Sequence, residues 1–212
     1  METYYNANHA FNSLRADIEH KGMPFANTRA LFNVGFYLQN PMDNHITNPA
    51  RNWKAKYAEA EWQWYLSGDR NIEKLKDIYG KVPPIWEKMA DKDGNVNSNY
   101  GWQWLRGDQY DYVIDKLMHE DDTRHAAITI YDAKENDYYW HDTPCTYAVQ
   151  FTLINDKLCM SVYMRSNDLW YGFCNDQYCF SKLQEKVAKE INKPIGWYYH
   201  HAHNMHLYND KL

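Results

Sequence analysis

The chain has 212 residues, and its 23 Lys and Arg against 28 Asp and Glu leave a net charge of −5. With both signs interspersed, that balance argues against direct nucleic-acid binding, which calls for a basic face; a small anion held by a few local arginines stays compatible. No apolar run reaches the roughly eighteen residues of a membrane span, and Met1-Glu2-Thr3-Tyr4-Tyr5-Asn6 lacks the regions of a secretory signal, so a cytoplasmic protein is expected.

In chain order, residues 6–21 predict a helix, from Phe11, Leu14 and Ile18 at spacings of three and four. Residues 30–38 read as a compact apolar strand, residues 53–66 as a helix stopped by Ser67-Gly68, and residues 72–78 as a short helix. Pro83-Pro84 and the turn at 91–94 bracket a segment containing Trp86. Residues 100–118 predict a helix weakened at Gly107. Residues 125–131, 146–153 and 158–164 read as strands. Residues 176–191 carry Cys179, Phe180, Leu183, Val187 and Ile191 on one helical face, and 196–208 read as a last strand. The fold class expected is α+β, one domain spanning residues 1–212, with a largely β core and helices against it.

The stretch from Met164 to Asp176 packs an arginine, a serine, two aspartates and a glycine just before a helix. A cation beside a hydroxyl suits a phosphate, and a cation beside a cysteine suits a thiolate nucleophile. Cys145, in Asp142-Thr143-Pro144-Cys145-Thr146, is as a lone strand cysteine most often a small buried apolar residue. With Arg165 nearby, its thiol pKa would fall and thiolate would be favoured. Cys159, Cys174 and Cys179 read as structural, all four cysteines as reduced, and none forms a Cys-x-x-Cys pair.

Glu61 shares a helical face with Tyr57, Trp64 and Tyr65. An inward carboxyl among aromatics would have a raised pKa and suit proton transfer; an ion-paired glutamate at a core edge is an equal alternative. The tail from Tyr198 to Tyr208 holds four histidines, of which His201 and His203 alternate, but no further ligand stands at a metal-site spacing, so no metal is expected. Asp176, at the start of its helix, reads equally well as an N-cap.

Several ordered motifs resemble the thymidylate synthase superfamily, and within it the deoxycytidylate hydroxymethylase branch of phages. They are Glu61-Trp62-Gln63-Trp64-Tyr65-Leu66-Ser67-Gly68-Asp69, Ile85-Trp86, Asn97-Ser98-Asn99-Tyr100-Gly101-Trp102, Pro144-Cys145, Arg165-Ser166-Asn167-Asp168 with Gly172, and His206-Leu207-Tyr208. They run from about residue 55 onward, while the first fifty residues match poorly. The resemblance implies a mixed twisted sheet with helices on one face and the other face used for a homodimer. It implies Cys145 as the nucleophile that adds to pyrimidine C6, Glu61 as the proton and water manager, and Tyr100 beside the C5 proton. Arg165 and Ser166 would bind phosphate, His206 and Tyr208 the sugar hydroxyl, and Ile85, Trp86, Asp168 and Gly172 the folate. Arg124 would reach the partner's phosphate site.

At Asp176, uracil-specific members carry asparagine. Cytosine presents the opposite donor and acceptor pattern, and a carboxyl can match it by accepting from the amino group and donating to N3. The resemblance thus implies a pyrimidine deoxynucleoside monophosphate, dCMP, hydroxymethylated with methylenetetrahydrofolate and water, in the host cytoplasm of a phage. Methylation or hydroxymethylation of dUMP or CMP, and an idle nucleotide-binding relative, are the alternatives. Thr146 replaces a histidine common in thymidylate synthases, and His125 a second arginine. The chain reaches Leu212 where those enzymes carry a folate-closing segment; an open lid would admit water.

Overall fold

The computed structural model describes residues 2–134 and 142–212. In chain order the elements are β1 (Glu2–Tyr4), α1 (Ala7–Lys21), β2 (Met23–Phe25), β3 (Thr28–Leu38), α2 (Ala55–Leu66), α3 (Ile72–Tyr79), α4 (Pro84–Met89), α5 (Tyr100–Leu105), α6 (Gln109–His119), β4 (Ala127–Thr129), β5 (Thr146–Ile154), β6 (Lys157–Met164), β7 (Asn167–Asp168), α7 (Gly172–Glu190) and β8 (Ile195–Tyr208). Among the described residues the strands form one mixed sheet in the order β1-β3-β8-β6-β5-β4, with β2 added to β3 and β7 to β8.

The long strand β8 organises the sheet. It runs antiparallel to β3 and parallel to β6, and β7 rejoins it beyond the end of β6. Met164 lies opposite Ala202 and Asn167 opposite Met205, so the chain leaves the sheet only at Arg165 and Ser166. Alternation sends Phe36, Leu38, Met160, Val162, Met164, Tyr198 and Ala202 to one face, all fully buried. There they meet Phe11, Leu14 and Ile18 of α1 and Phe173, Phe180, Leu183 and Val187 of α7. The opposite face carries Tyr37, Tyr163, Trp197, Tyr199 and His201 in mutual ring contact, with centroids 5.0–6.1 Å apart.

The hairpin of β5 and β6 sets the site. Its two-residue turn, Asn155-Asp156, has both residues at positive φ (51° and 61°), which Asn and Asp tolerate and a right-twisted hairpin requires. From that turn Ile154 pairs Lys157, and the ladder runs to Ala148 against Tyr163. A register shift between Thr146 and Ala148 then puts Thr146 opposite Met164. One step further, the Arg165 amide donates to the Cys145 carbonyl at 2.7 Å. Turn and bulge together therefore bring these two residues side by side.

Three expectations are corrected. The helix of residues 100–118 is two helices, α5 and α6, because Gly107 and Asp108 both take left-handed backbone (φ 63° and 57°). The helix expected from Asp176 begins a turn earlier at Gly172, so Asp176 is not its N-cap. The strand of residues 125–131 narrows to Ala127–Thr129. Helix α4, inside the bracketed Trp86 segment, starts on Pro84, whose fixed φ suits a first helical residue.

Helix α5 lies against the end of α2 through Gly101, where an added Cβ would fall 1.8 Å from the Tyr65 carbonyl oxygen. Gly101→Ala must push the two backbones apart. It is expected to lower stability by at least about 2 kcal/mol in urea unfolding; a change below about 0.5 kcal/mol would contradict this packing.

Candidate active site

Arg165 folds back over the segment before β5. Its Nε donates to the Pro144 carbonyl at 3.0 Å and its Nη2 to the Thr143 carbonyl at 2.8 Å, which leaves Nη2 3.8 Å from Cys145 Sγ. Ser166 follows it, partly buried, at the corner between β6 and β7. The expected lowering of the Cys145 pKa is corrected here. Burial pushes the thiol up to about 11; Arg165 pulls it down but loses to burial, and Asp176, Asp142 and Asp168 add to the rise. Cys145 is a thiol at neutral pH in this arrangement.

Asp142 joins this segment to α5. Its carboxylate accepts from the Asn97 amide (2.5 Å), the Ser98 amide (3.0 Å) and the Ser98 hydroxyl (2.6 Å). Asn99 then caps α5 by accepting from the Trp102 amide at 2.8 Å. These bonds place Tyr100, buried between the rings of Phe180 (5.2 Å) and Tyr65 (5.8 Å), within electrostatic reach of Asp176, Cys145 and Arg165. Burial raises its phenol well above the ordinary range.

Two carboxyls face this cluster. Asp176, in the second turn of α7, accepts from Asn167 Nδ2 at 2.7 Å. Burial pushes it up to about 7, against the Asn167 hydrogen bond and with help from the Asp168 charge. Glu61 on α2 is 4% exposed and accepts from the Tyr57 hydroxyl at 3.3 Å. Burial, then the Asp176 charge, push it up to about 8. Of the two alternatives read from sequence, the inward carboxyl among aromatics is the one observed; no ion pair of Glu61 occurs among the described residues. The Tyr57 hydroxyl in turn accepts from Trp86 Nε1 at 2.7 Å.

On β8, His206 is half-buried and Asn204 Oδ1 lies 2.8 Å from its Nδ1, while the Tyr208 ring meets it edge-on at 5.5 Å. Burial lowers the imidazole pKa against the pull of Asp168, which lies opposite it in the β7–β8 ladder. Asp168 accepts from the Trp170 and Tyr171 amides at 2.9 and 3.0 Å and so shapes the turn into α7. Gly172 opens that helix. Ile85 is 52% exposed on α4. Arg124 is exposed on the loop between α6 and β4. Below α4 lies a cavity of about 400 Å³ lined by Arg51, Trp53, Lys54, Tyr57, Tyr79 and Lys81, among others.

The thymidylate synthase family model matches residues 14–212. The chain belongs to the thymidylate synthase family. Among curated proteins it is 33% identical over 145 residues to the deoxycytidylate 5-hydroxymethyltransferases of Enterobacteria phages T4, T2 and T6. Those matches cover 65% of this chain and 57% of each relative, so the chain spans little more than half of their length. Among solved structures, thermostable thymidylate synthase A from Bacillus subtilis superposes with a TM-score of 0.80 over 96% of this chain and 80% of its own, at 22% identity. That likeness establishes the thymidylate synthase fold.

The sequence reading gave no role to Asn167, His200 and Tyr198, and named Tyr57 only as a neighbour of Glu61. It singled out His201 and His203, but His203 is exposed and lies 3.0 Å from Asn33 Oδ1, and His201 lies on the aromatic face of the sheet. No group of three or more metal-binding side chains occurs among the described residues. The same alternation that flags His201 puts His200 on the inward face beside Tyr198 and Ala202, so a buried polar pair was legible there. No helix among the described residues is long and apolar enough to cross a membrane.

Glu61 gives a test with a definite sign. Folded, it titrates near 8; unfolded, near its ordinary 4.5, so between those values the folded state holds a proton the unfolded chain has lost. Its contribution to stability therefore falls as pH rises from about 4.5 to about 8. Glu61→Gln should gain on wild type across that window, with the gap level above it, in urea midpoints measured against pH. A gap independent of pH would contradict the buried carboxyl. Likewise, iodoacetamide should label Cys145 slowly at pH 7 and faster toward pH 11, and Arg165→Gln should slow it further; rapid labelling at pH 7 would show a thiolate already formed.

Proposed function

We propose that this chain is a hydroxymethyltransferase that converts dCMP to 5-hydroxymethyl-dCMP with methylenetetrahydrofolate and water, residues 1–212 forming one catalytic unit. The observation that carries the reading is Asp176. Its carboxyl faces the Cys145 cluster and titrates near neutrality. Protonated, it donates to N3 of cytosine and accepts from the amino group; ionised, it pairs with an N3-protonated base. Mispairing that buried edge with uracil costs on the order of 1–3 kcal/mol.

Cys145 Sγ bonds to C6 of the base and its proton departs. Arg165 supports the developing thiolate, which burial alone disfavours, and proton donation at N3 by Asp176 eases the attack. When bound, methylenetetrahydrofolate would supply C5 with a one-carbon unit at the oxidation level of formaldehyde and leave as tetrahydrofolate. Tyr100 stands where the C5 proton leaves, and Glu61, titrating near 8, is matched to moving protons to and from water at neutral pH. Loss of the Cys145 bond with addition of water leaves the hydroxymethyl group. Arg165 and Ser166 bind the phosphate, and His206 and Tyr208 the sugar.

The cavity below α4 fits the co-substrate. Trp53, Tyr57 and Tyr79 offer ring faces, and Arg51, Lys54 and Lys81 suit an anionic tail. Trp86, which donates to Tyr57 of that lining, contacts the co-substrate together with Ile85, Asp168 and Gly172. The aromatic sheet face pairs with a second copy, from which Arg124 completes the phosphate site. On this reading the protein acts in an infected host's cytoplasm, which its likeness to phage enzymes supports.

Incubation with dCMP or dUMP plus methylenetetrahydrofolate, read by mass spectrometry, is expected to give hydroxymethyl-dCMP. Asp176→Asn is expected to move preference toward dUMP by up to about a hundredfold. A methyl product, or unchanged preference in Asp176→Asn, would contradict the reading.

A further inference from the structure

We propose that Asn167, held from behind by His200 and Tyr198, is a positioning residue that fixes how Asp176 meets the base and so decides which pyrimidine the site accepts. The proposal deepens the cytosine reading above and rests on it. The four side chains form one line. Asn167 Nδ2 lies 2.7 Å from Asp176 Oδ2, His200 Nε2 lies 3.0 Å from Asn167 Oδ1, and the Tyr198 hydroxyl lies 2.7 Å from His200 Nδ1. Asn167 is 2% exposed, and His200 and Tyr198 are fully buried. β7 brings Asn167 to β8, while Tyr198 and His200 occupy inward positions of β8. Gly172 leaves the room, since an added Cβ there would sit 3.1 Å from Asn167 Nδ2 and 3.3 Å from Asp176 Oδ2.

Hydrogen placement along this line has one satisfied solution. Burial holds His200 neutral, with its pKa lowered to about 3, so one ring nitrogen donates and the other accepts. If Tyr198 donates to Nδ1, then Nε2–H donates to Asn167 Oδ1 and Asn167 Nδ2–H donates to Asp176 Oδ2. Each of the three contacts along the line then runs from a donor to an acceptor. Reversed, the Tyr198 hydroxyl hydrogen is left buried without a partner, which is costly. Asp176 Oδ2 is therefore an acceptor in either protonation state, and the proton of neutral Asp176 is confined to Oδ1. A carboxyl free to carry its proton on either oxygen could serve uracil as readily as cytosine by exchanging donor and acceptor. One with a fixed proton serves one base.

The other titratable groups around Asp176 are Glu61 and Tyr65 from α2, Tyr100 from α5, Cys145 before β5, Asp168 from β7, and Cys174 and Cys179 on α7 itself, with Tyr198 from β8. None donates to Oδ2 among the described hydrogen bonds, so the Asn167 amide is the group to remove.

The test uses the full chain with Asn167→Ala and the shape-preserving Tyr198→Phe, each alone and combined with Asp176→Asn, after thermal melts confirm folding. Two quantities are read: the ratio of kcat/KM for dCMP over dUMP, and the Asp176 carboxyl midpoint by carbon-13 NMR in ligand-free protein. Asn167→Ala should lower the ratio about tenfold or more, the scale of one mispaired buried hydrogen bond. Tyr198→Phe should lower it by a smaller factor. Both effects should vanish in combination with Asp176→Asn. The Asp176 midpoint should rise in Asn167→Ala, because an N–H that stabilises the carboxylate is gone. An unmoved ratio and midpoint, or an equal fall in combination with Asp176→Asn, would overturn the proposal. If Asn167→Ala does not fold, Tyr198→Phe carries the same comparison, and an unmoved ratio there overturns it. If wild type itself does not prefer dCMP, the cytosine reading falls, and the carboxyl midpoint alone decides whether Asn167 governs Asp176.

Discussion

The register of one hairpin governs this site. Asn155 and Asp156 close a two-residue turn at positive φ, and a single shift near Tyr147 moves the pairing by one step. Without that shift, Cys145 would face Ser166 and Arg165 would face Thr146. With it, the Arg165 amide meets the Cys145 carbonyl, and the guanidinium, anchored on two carbonyls, stops 3.8 Å from the sulfur. The break between β6 and β7 along β8 releases Arg165 from the sheet and returns Asn167 to it, which brings Asn167 to Asp176. The placement of Cys145, Arg165 and Asp176 thus depends on strand geometry that carries no chemistry of its own.

Burial then sets the electrostatics. A thiol near 11 and carboxyls near 8 and 7 are what a desolvated pocket produces when one arginine faces several acids. The ionised forms of Glu61 and Asp176 oppose each other, so the pocket favours holding protons. The proposed reaction, with donation to N3 and transfer of water protons near pH 7, benefits from that bias. The same burial disfavours the thiolate, so in the proposed reaction attack by Cys145 is coupled to proton donation at the base.

Much of this was legible in sequence. The period-3.6 pattern in α1, the apolar runs of β3, β5 and β6, and the ordered motifs around Glu61, Cys145 and Arg165 led to the α+β reading and to the thymidylate synthase family. What was not legible has physical reasons. Three-residue strands such as β1 and β2 are too short to show a period. The Gly172 start of α7 was hidden because Tyr171-Gly172 reads as a turn, and it moved Asp176 from a cap position to the helix's second turn. The thiol pKa could not be read, since the balance of Arg165 against burial depends on depth. His200 was overlooked for His201 and His203, although alternation along β8 already assigned it to the inward face.

Release of tritium from C5 of labelled dCMP reports directly whether Cys145, beside Arg165, adds to C6 and activates C5 for substitution. The account predicts release from dCMP in the presence of methylenetetrahydrofolate, and its loss in Cys145→Ser with the fold intact. Release that persists in Cys145→Ser, or none from wild type that binds dCMP tightly, would contradict it.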